Sequence, residues 1–190
     1  KENRKFVYQL VRPGARAREY EDAILWLEQA GLVNKVLLSK APKLPLKAYD
    51  DLGTFKLYTL DLGVLRKLSE LDASILLLPT PAYTEYKGAL AENYILQSLT
   101  AQFQMPFRYW TSGNKAEVDF LLQYINQIYP IEVKADQNIQ GKSLIQYEKL
   151  FQPACRIRYS MLNLKQDGNL LNIPLFLADK TRELLGVINV

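Results

Sequence analysis

Four side chains near the middle of this sequence have the types and spacing that phosphate hydrolysis uses: Glu92, Asp119, Glu132 and Lys134. Glu92 lies in Lys87-Gly88-Ala89-Leu90-Ala91-Glu92-Asn93, Asp119 in Ala116-Glu117-Val118-Asp119-Phe120-Leu121-Leu122, and the other two in Ile131-Glu132-Val133-Lys134-Ala135. Carboxylates and an ammonium thus stand where packing alone would place apolar residues. Carboxylate oxygens are hard ligands that suit Mg²⁺ or Mn²⁺, ions that need few protein ligands and keep several waters. Asp119 and Glu132 are expected to hold the ion, the carbonyl of Val133 to add a ligand, and Glu92 to take a water or a second ion. Such an ion polarises phosphoryl oxygens and makes water more acidic. Lys134 would orient that water or stabilise charge building on the phosphate. The expected reaction is metal-dependent hydrolysis of phosphodiester bonds in nucleic acid, DNA ahead of RNA.

The elements that must position these groups follow from periodicity. From Glu85 to about Phe103 there is no internal proline, and Ile95, Leu96, Leu99 and Phe103 recur at helical spacing. One turn back from Leu96 is Glu92, so its carboxylate points toward the core, where a bare charge must be protonated, paired or bound to a cation. One further turn back, Gly88 removes a side chain and opens room for a close approach. Strand alternation over 116–124 sets Val118, Phe120, Leu122 and Tyr124 on one face and Glu117, Asp119 and Leu121 on the other. In 128–135 Glu132 and Lys134 share a face. A two-residue turn at Asn126-Gln127 would place Asp119 opposite Lys134 with Glu132 diagonal to it.

Each signal has a blander reading. Glu-Val-Lys alone is an ordinary charged strand, and it gains weight only beside Asp119 and Glu92. Lys115, in a hairpin loop, and Lys142 and Ser143, at the start of a helix over 140–151, are candidate nucleic-acid contacts, although such residues are more often simply solvated. Tyr109 and Trp110 are expected to pack in the core rather than stack on bases.

The helix Glu, strand Asp and Glu-x-Lys pattern resembles the PD-(D/E)XK restriction-endonuclease-like superfamily, whose core order is helix, three antiparallel strands, helix, strand. The chain reads in that order: helix 85–103, strands 107–111, 116–124 and 128–135, helix 140–151, strand 156–161. More closely, nearly all of it resembles the C-terminal part of a prokaryotic family of AAA+-type ATP-binding proteins. The stretches Ala15-Arg16-Ala17-Arg18-Glu19-Tyr20-Glu21, Trp26-Leu27-Glu28-Gln29-Ala30-Gly31-Leu32 and Pro42-Lys43-Leu44-Pro45-Leu46-Lys47-Ala48-Tyr49 carry that likeness together with the three quoted above. The resemblance implies an upstream ATPase module as partner and a C-terminal domain of unassigned function. The expected fold is therefore α/β: a restriction-endonuclease-like core over 79–190, preceded by a partial winged-helix unit over 1–78.

That N-terminal unit reads as a helix from Ala15 to Ala30, a strand over 33–38, a loop over 41–49, a strand over 54–60 and a short helix to about Leu71. A winged helix suggests DNA binding, but Glu19, Glu21, Asp22 and Glu28 on its helix would repel phosphates, so a packing adaptor is favoured. Asp72 to Tyr83, with Pro79 and Pro81, reads as the linker. Toward the end, Asp167-Gly168 reads as a hairpin turn, 172–177 as a short edge strand and 185–190 as a tail.

Composition narrows the function classes. Apolar residues make up 48% of the chain, enough for a real core. The net charge of +4 does not by itself announce a nucleic-acid binder. With no histidine and a single cysteine, Cys155, triad hydrolysis, histidine-ligated zinc and an intrachain disulfide are excluded. No Gly-x-x-x-x-Gly-Lys loop is present, so these residues do not themselves bind ATP in that way. No stretch approaches a membrane span, and a cytoplasmic location is expected. The initial Lys suggests a fragment. A non-catalytic module that docks nucleic acid or protein for the ATPase is the alternative to a nuclease.

Overall fold

The computed structural model describes residues 5–14, 16–70, 81–113, 116–135 and 141–188, with the backbone alone for 81–85 and 188. The expected linker and Lys115 therefore lie outside the described side chains. The elements are α1 (Ala17–Gln29), β1 (Val33–Ser39), β2 (Asp50–Thr59), α2 (Leu62–Leu68), α3 (Pro81–Phe103), β3 (Arg108–Thr111), β4 (Glu117–Tyr124), β5 (Gln127–Val133), α4 (Lys142–Phe151), β6 (Arg156–Ser160), β7 (Lys165–Asp167), β8 (Leu170–Pro174) and α5 (Thr181–Ile188). Local chemistry accounts for several ends. Asp61 caps α2 by accepting from the Val64 amide at 2.8 Å. Gly31, at φ +70°, closes α1 in the left-handed region that only glycine enters freely.

The eight strands among the described residues form one mixed sheet in the order β2-β1-β3-β4-β5-β6-β8-β7. β3, β4 and β5 are antiparallel neighbours, and β5 and β6 run parallel around α4. β1 pairs in parallel with β3 through Leu37–Arg108 and Leu38–Tyr109, which carries the sheet from the N-terminal strands into the C-terminal ones. Phe120 and Leu122 pack with Ile95, Leu96, Leu99 and Phe103 of α3, with Tyr58 of β2 and with Leu185 of α5. Val118 and Leu121 pack instead with Trp110 and with Leu144 and Tyr147 of α4. Helices thus cover both faces, which is why Phe120-Leu121-Leu122 can be apolar without a break. Each fully buried aliphatic or aromatic side chain contributes roughly 1.5–3 kcal/mol.

Three expectations are corrected. The segment 185–190 is not a tail: Thr181–Ile188 is a helix, and Leu185 is buried in the α3-side core. Leu184 and Leu185, a turn after Thr181, give it the apolar side that docks. At that end of the sheet the edge strand is β7, and β8 lies inside it, between β6 and β7; Pro174 ends β8 rather than interrupting it. The β4–β5 turn is Ile125-Asn126, both residues at positive φ, with Tyr124 paired to Gln127. The register is therefore displaced by two residues from the expected one. One step beyond the last pair, Phe120–Ile131, brings Glu132 rather than Lys134 across from Asp119. A displacement of two leaves each side chain on its own face.

Candidate active site

The site begins at an irregularity in β4. Arg108 pairs with Leu121 and Trp110 with Val118, so Tyr109 alone faces both Asp119 and Phe120. The extra residue is a β-bulge, a device that re-aims a side chain. It breaks the strict alternation expected across β4: Phe120 joins the α3 side while Val118 joins the α4 side. Asp119 stands at this bulge, where the β4–β5 pairing stops. Its Oδ2 accepts the Val133 backbone N–H at 2.7 Å. A side chain thus takes a bond that the next strand carbonyl would take in an unbroken ladder.

Two of the other expected residues, Glu92 and Glu132, lie close enough to Asp119 for their charges to act on it. Glu92 on α3 is 3% exposed and accepts from the Tyr58 hydroxyl at 2.9 Å. Glu132 is buried, and its Oε1 lies 3.1 Å from Lys134 Nζ. Burial pushes the Asp119 carboxyl well above the usual carboxylate range; Glu92 adds to this and Glu132 does so more weakly, while Lys56 and the Val133 amide oppose it. Asp119 therefore feels the charges of both Glu92 and Glu132.

Sequence reasoning missed two members of this cluster, both on β2. Lys56 is buried, and its ammonium donates to Glu117 Oε1 on β4 while lying 5.1 Å above the Tyr109 ring. Burial pulls its pKa down, but Glu92, Asp119 and Glu117 together push it above its ordinary value, so it remains charged. Burial, and then the charges of Glu92 and Asp119, push the Tyr58 hydroxyl well above its ordinary value, so it stays a donor. Asn93 fixes this arrangement: its Oδ1 accepts from the Thr59 backbone N–H at 3.0 Å and from the Thr59 hydroxyl at 3.1 Å, tying the end of β2 to α3 beside Glu92. The only cue in the sequence was a lysine in a strand flanked by Phe55 and Leu57.

The other candidates fall elsewhere. Lys142 is exposed and Ser143 half-buried in the first turn of α4. Tyr109 and Trp110 are buried, and Trp110 meets Tyr147 and Phe151 edge-on, as core packing requires.

The donor set can be tested against a divalent ion. Among the described residues no group of three or more Asp, Glu, His or Cys side chains is placed to hold a metal. A Mg²⁺ site does not demand three, because one or two carboxylates with waters suffice. Asp119, Glu132 and the Val133 carbonyl supply that many hard oxygens. Burial first, and then the charge of Glu92, raise the Asp119 pKa, and a bound cation would oppose both. A cation here would need a two-carboxylate site, since no three-carboxylate cage is formed among the described residues.

Gly88 lies one helical turn before Glu92 on α3 and leaves open space there. A Cβ built there meets nothing within 4 Å among the described residues. Gly88→Ala is therefore expected to stabilise the chain by about 0.5–1 kcal/mol through helix propensity alone, seen as a small rise in the thermal midpoint. A fall would reveal an occupant of that space.

Residues 87–176 match the family model described as Domain of unknown function (DUF4143), and residues 1–75 match Domain of unknown function (DUF8612). The DUF4143 domain is found at the C-termini of AAA-type ATPase proteins. No curated protein and no solved structure matches the chain. Glu92, Glu117, Asp119, Glu132 and Lys134 fall in the first matched segment, and Lys56 and Tyr58 in the second. No helix among the described residues is long and apolar enough to cross a membrane.

Proposed function

We propose that this chain carries a Mg²⁺- or Mn²⁺-dependent phosphodiesterase site for nucleic acid, DNA ahead of RNA, on a restriction-endonuclease-like core that serves an AAA-type ATPase. The observation that carries the reading is Asp119 at its bulge: it bonds the Val133 amide and stands next to the buried Glu132, with Lys134 held by Glu132. The order α3, β3, β4, β5, α4, β6, antiparallel and then parallel, supports the core. The winged-helix origin of 1–78 rests on its element order alone.

Asp119, Glu132 and the Val133 carbonyl would hold the ion. When bound, it supplies the polarisation of the phosphoryl oxygens and a more acidic water. Lys134, kept near the site by Glu132, stabilises charge developing on the phosphate. Glu92, fixed by the Tyr58 hydroxyl, would bind a water or a second ion.

The test is cleavage of single-stranded, duplex and branched DNA, with RNA in parallel, with and without Mn²⁺, by the wild type and Lys134→Ala. Cation-dependent cleavage lost in a folded Lys134→Ala supports the reading. No cleavage of any substrate, together with no cation binding, leaves the second reading: a non-catalytic module that binds nucleic acid or protein for the ATPase. Lys56 is the observation that favours this second reading, since it already supplies a buried positive charge to the acidic set.

A further inference from the structure

The sheet carries an ammonium from the segment matched at 1–75 into the carboxylates of the segment matched at 87–176. Lys56 is 1% exposed, so it does not reach a phosphate in solvent; whatever it does, it does through its neighbours. Those neighbours are Glu117, to which it donates, the face of Tyr109 beneath it, and the charges of Glu92 and Asp119. Tyr58, two residues on and on the same strand face, donates to Glu92. Two adjacent inward positions of β2 are thus devoted to the acidic set. Packing alone does not call for this, because an apolar stem would fill the same volume without the cost of burying a charge.

We propose that Lys56 is a positioning residue of the site: its ammonium is the resident counter-charge of Glu92, Glu117 and Asp119, and it sets how tightly Asp119 and Glu132 hold a divalent cation. This rests on reading Asp119 and Glu132 as the cation ligands. With Lys56 in place the carboxylates are partly neutralised, so the fold does not depend on metal and the ion is held weakly. A positive charge beside a cation site repels the incoming ion, and its removal strengthens binding. The consequence is that the two matched segments form one functional unit, with the N-terminal one tuning the site of the other.

Mn²⁺ titration calorimetry and thermal melts of the 190-residue chain test this on the wild type, Lys56→Met, Lys56→Arg, Asp119→Asn and Lys56→Met/Asp119→Asn. Lys56→Met is expected to bind Mn²⁺ about tenfold more tightly or better, to melt lower than the wild type without cation, and to regain the difference with it. Lys56→Arg keeps the wild-type affinity, and the double variant loses binding. A merely structural lysine would lower the melting point without raising the affinity. If Lys56→Met does not fold alone, Lys56→Met/Glu117→Gln, which removes both members of the ion pair, carries the same comparison. Equal or weaker binding by Lys56→Met, with the wild type binding and Asp119→Asn not, overturns the role of Lys56 and leaves the cation site standing. Binding by Lys56→Met but not by the wild type supports the role and overturns the native cation site. Binding by neither overturns both.

Discussion

Arg108→Ala is expected to cost about 3–5 kcal/mol of folding stability, the usual loss when one partner of a buried ion pair is removed. Arg108 Nε and Nη2 each donate to Asp50 at 2.9 Å, one to each carboxylate oxygen, and Nη1 donates to the Pro106 carbonyl at 2.8 Å. Both side chains are nearly enclosed, at 10% and 9% exposed. Truncating the arginine leaves the Asp50 carboxylate buried without its counter-charge, whereas truncating both would not. At about 2–4 °C per kcal/mol for a chain of this size, the single variant should melt roughly 6–20 °C lower. Arg108→Met with Asp50→Leu should recover most of that loss. The pair joins the start of β2 to β3, and with the β1–β3 pairing it holds the 1–75 segment to the rest of the sheet. A cost below about 1 kcal/mol, as at solvated ion pairs, would mean that the junction depends on its apolar contacts instead.

The parts of the fold that rest on local periodicity could be read from the residues. The stripe Ile95, Leu96, Leu99 and Phe103 is buried, and Glu92 faces the core with it. The order of elements from α3 to β6 follows the spacing of apolar runs. What could not be read locally was decided by backbone irregularity or long-range pairing. The bulge at Asp119-Phe120 changes the face of every residue before it without changing composition. Its one trace was the run Phe120-Leu121-Leu122, too apolar for a sheet with one wet face. The Ile125-Asn126 turn puts an isoleucine at φ 42°, a position that turn preferences would deny it. The parallel pairing of β1 with β3 spans about seventy residues of sequence and has no local signature. Without it, Lys56 and Tyr58 belonged to a separate unit and were invisible to any search for a site.

Asp119→Asn is expected to do two opposite things: raise the melting temperature at pH 7 without divalent cation, and remove cation-dependent cleavage by at least about a hundredfold, the scale seen when a group stabilising the transition state is lost. The stability gain follows from the sign of the pKa shift. Burial first, and then the charge of Glu92, hold the Asp119 carboxyl well above the usual range despite Lys56 and the Val133 amide. A carboxyl raised on folding contributes stability that is fully present below its unfolded value of about 4 and is lost as pH rises through its folded value. As pH rises above about 4 the wild type progressively loses that contribution, while asparagine never carries the charge. Its amide oxygen still accepts the Val133 N–H. The gap between the two melting curves should narrow as pH falls toward about 4. Mn²⁺ should raise the wild type and leave the variant unmoved, since a ligand stabilises only the protein that binds it. A variant that melts lower than the wild type at pH 7 would reverse the reading. It would make the carboxylate an anchor for the Val133 amide, a charged hydrogen bond worth about 1.5–3 kcal/mol, and Asp119 would then belong to the scaffold rather than to a site.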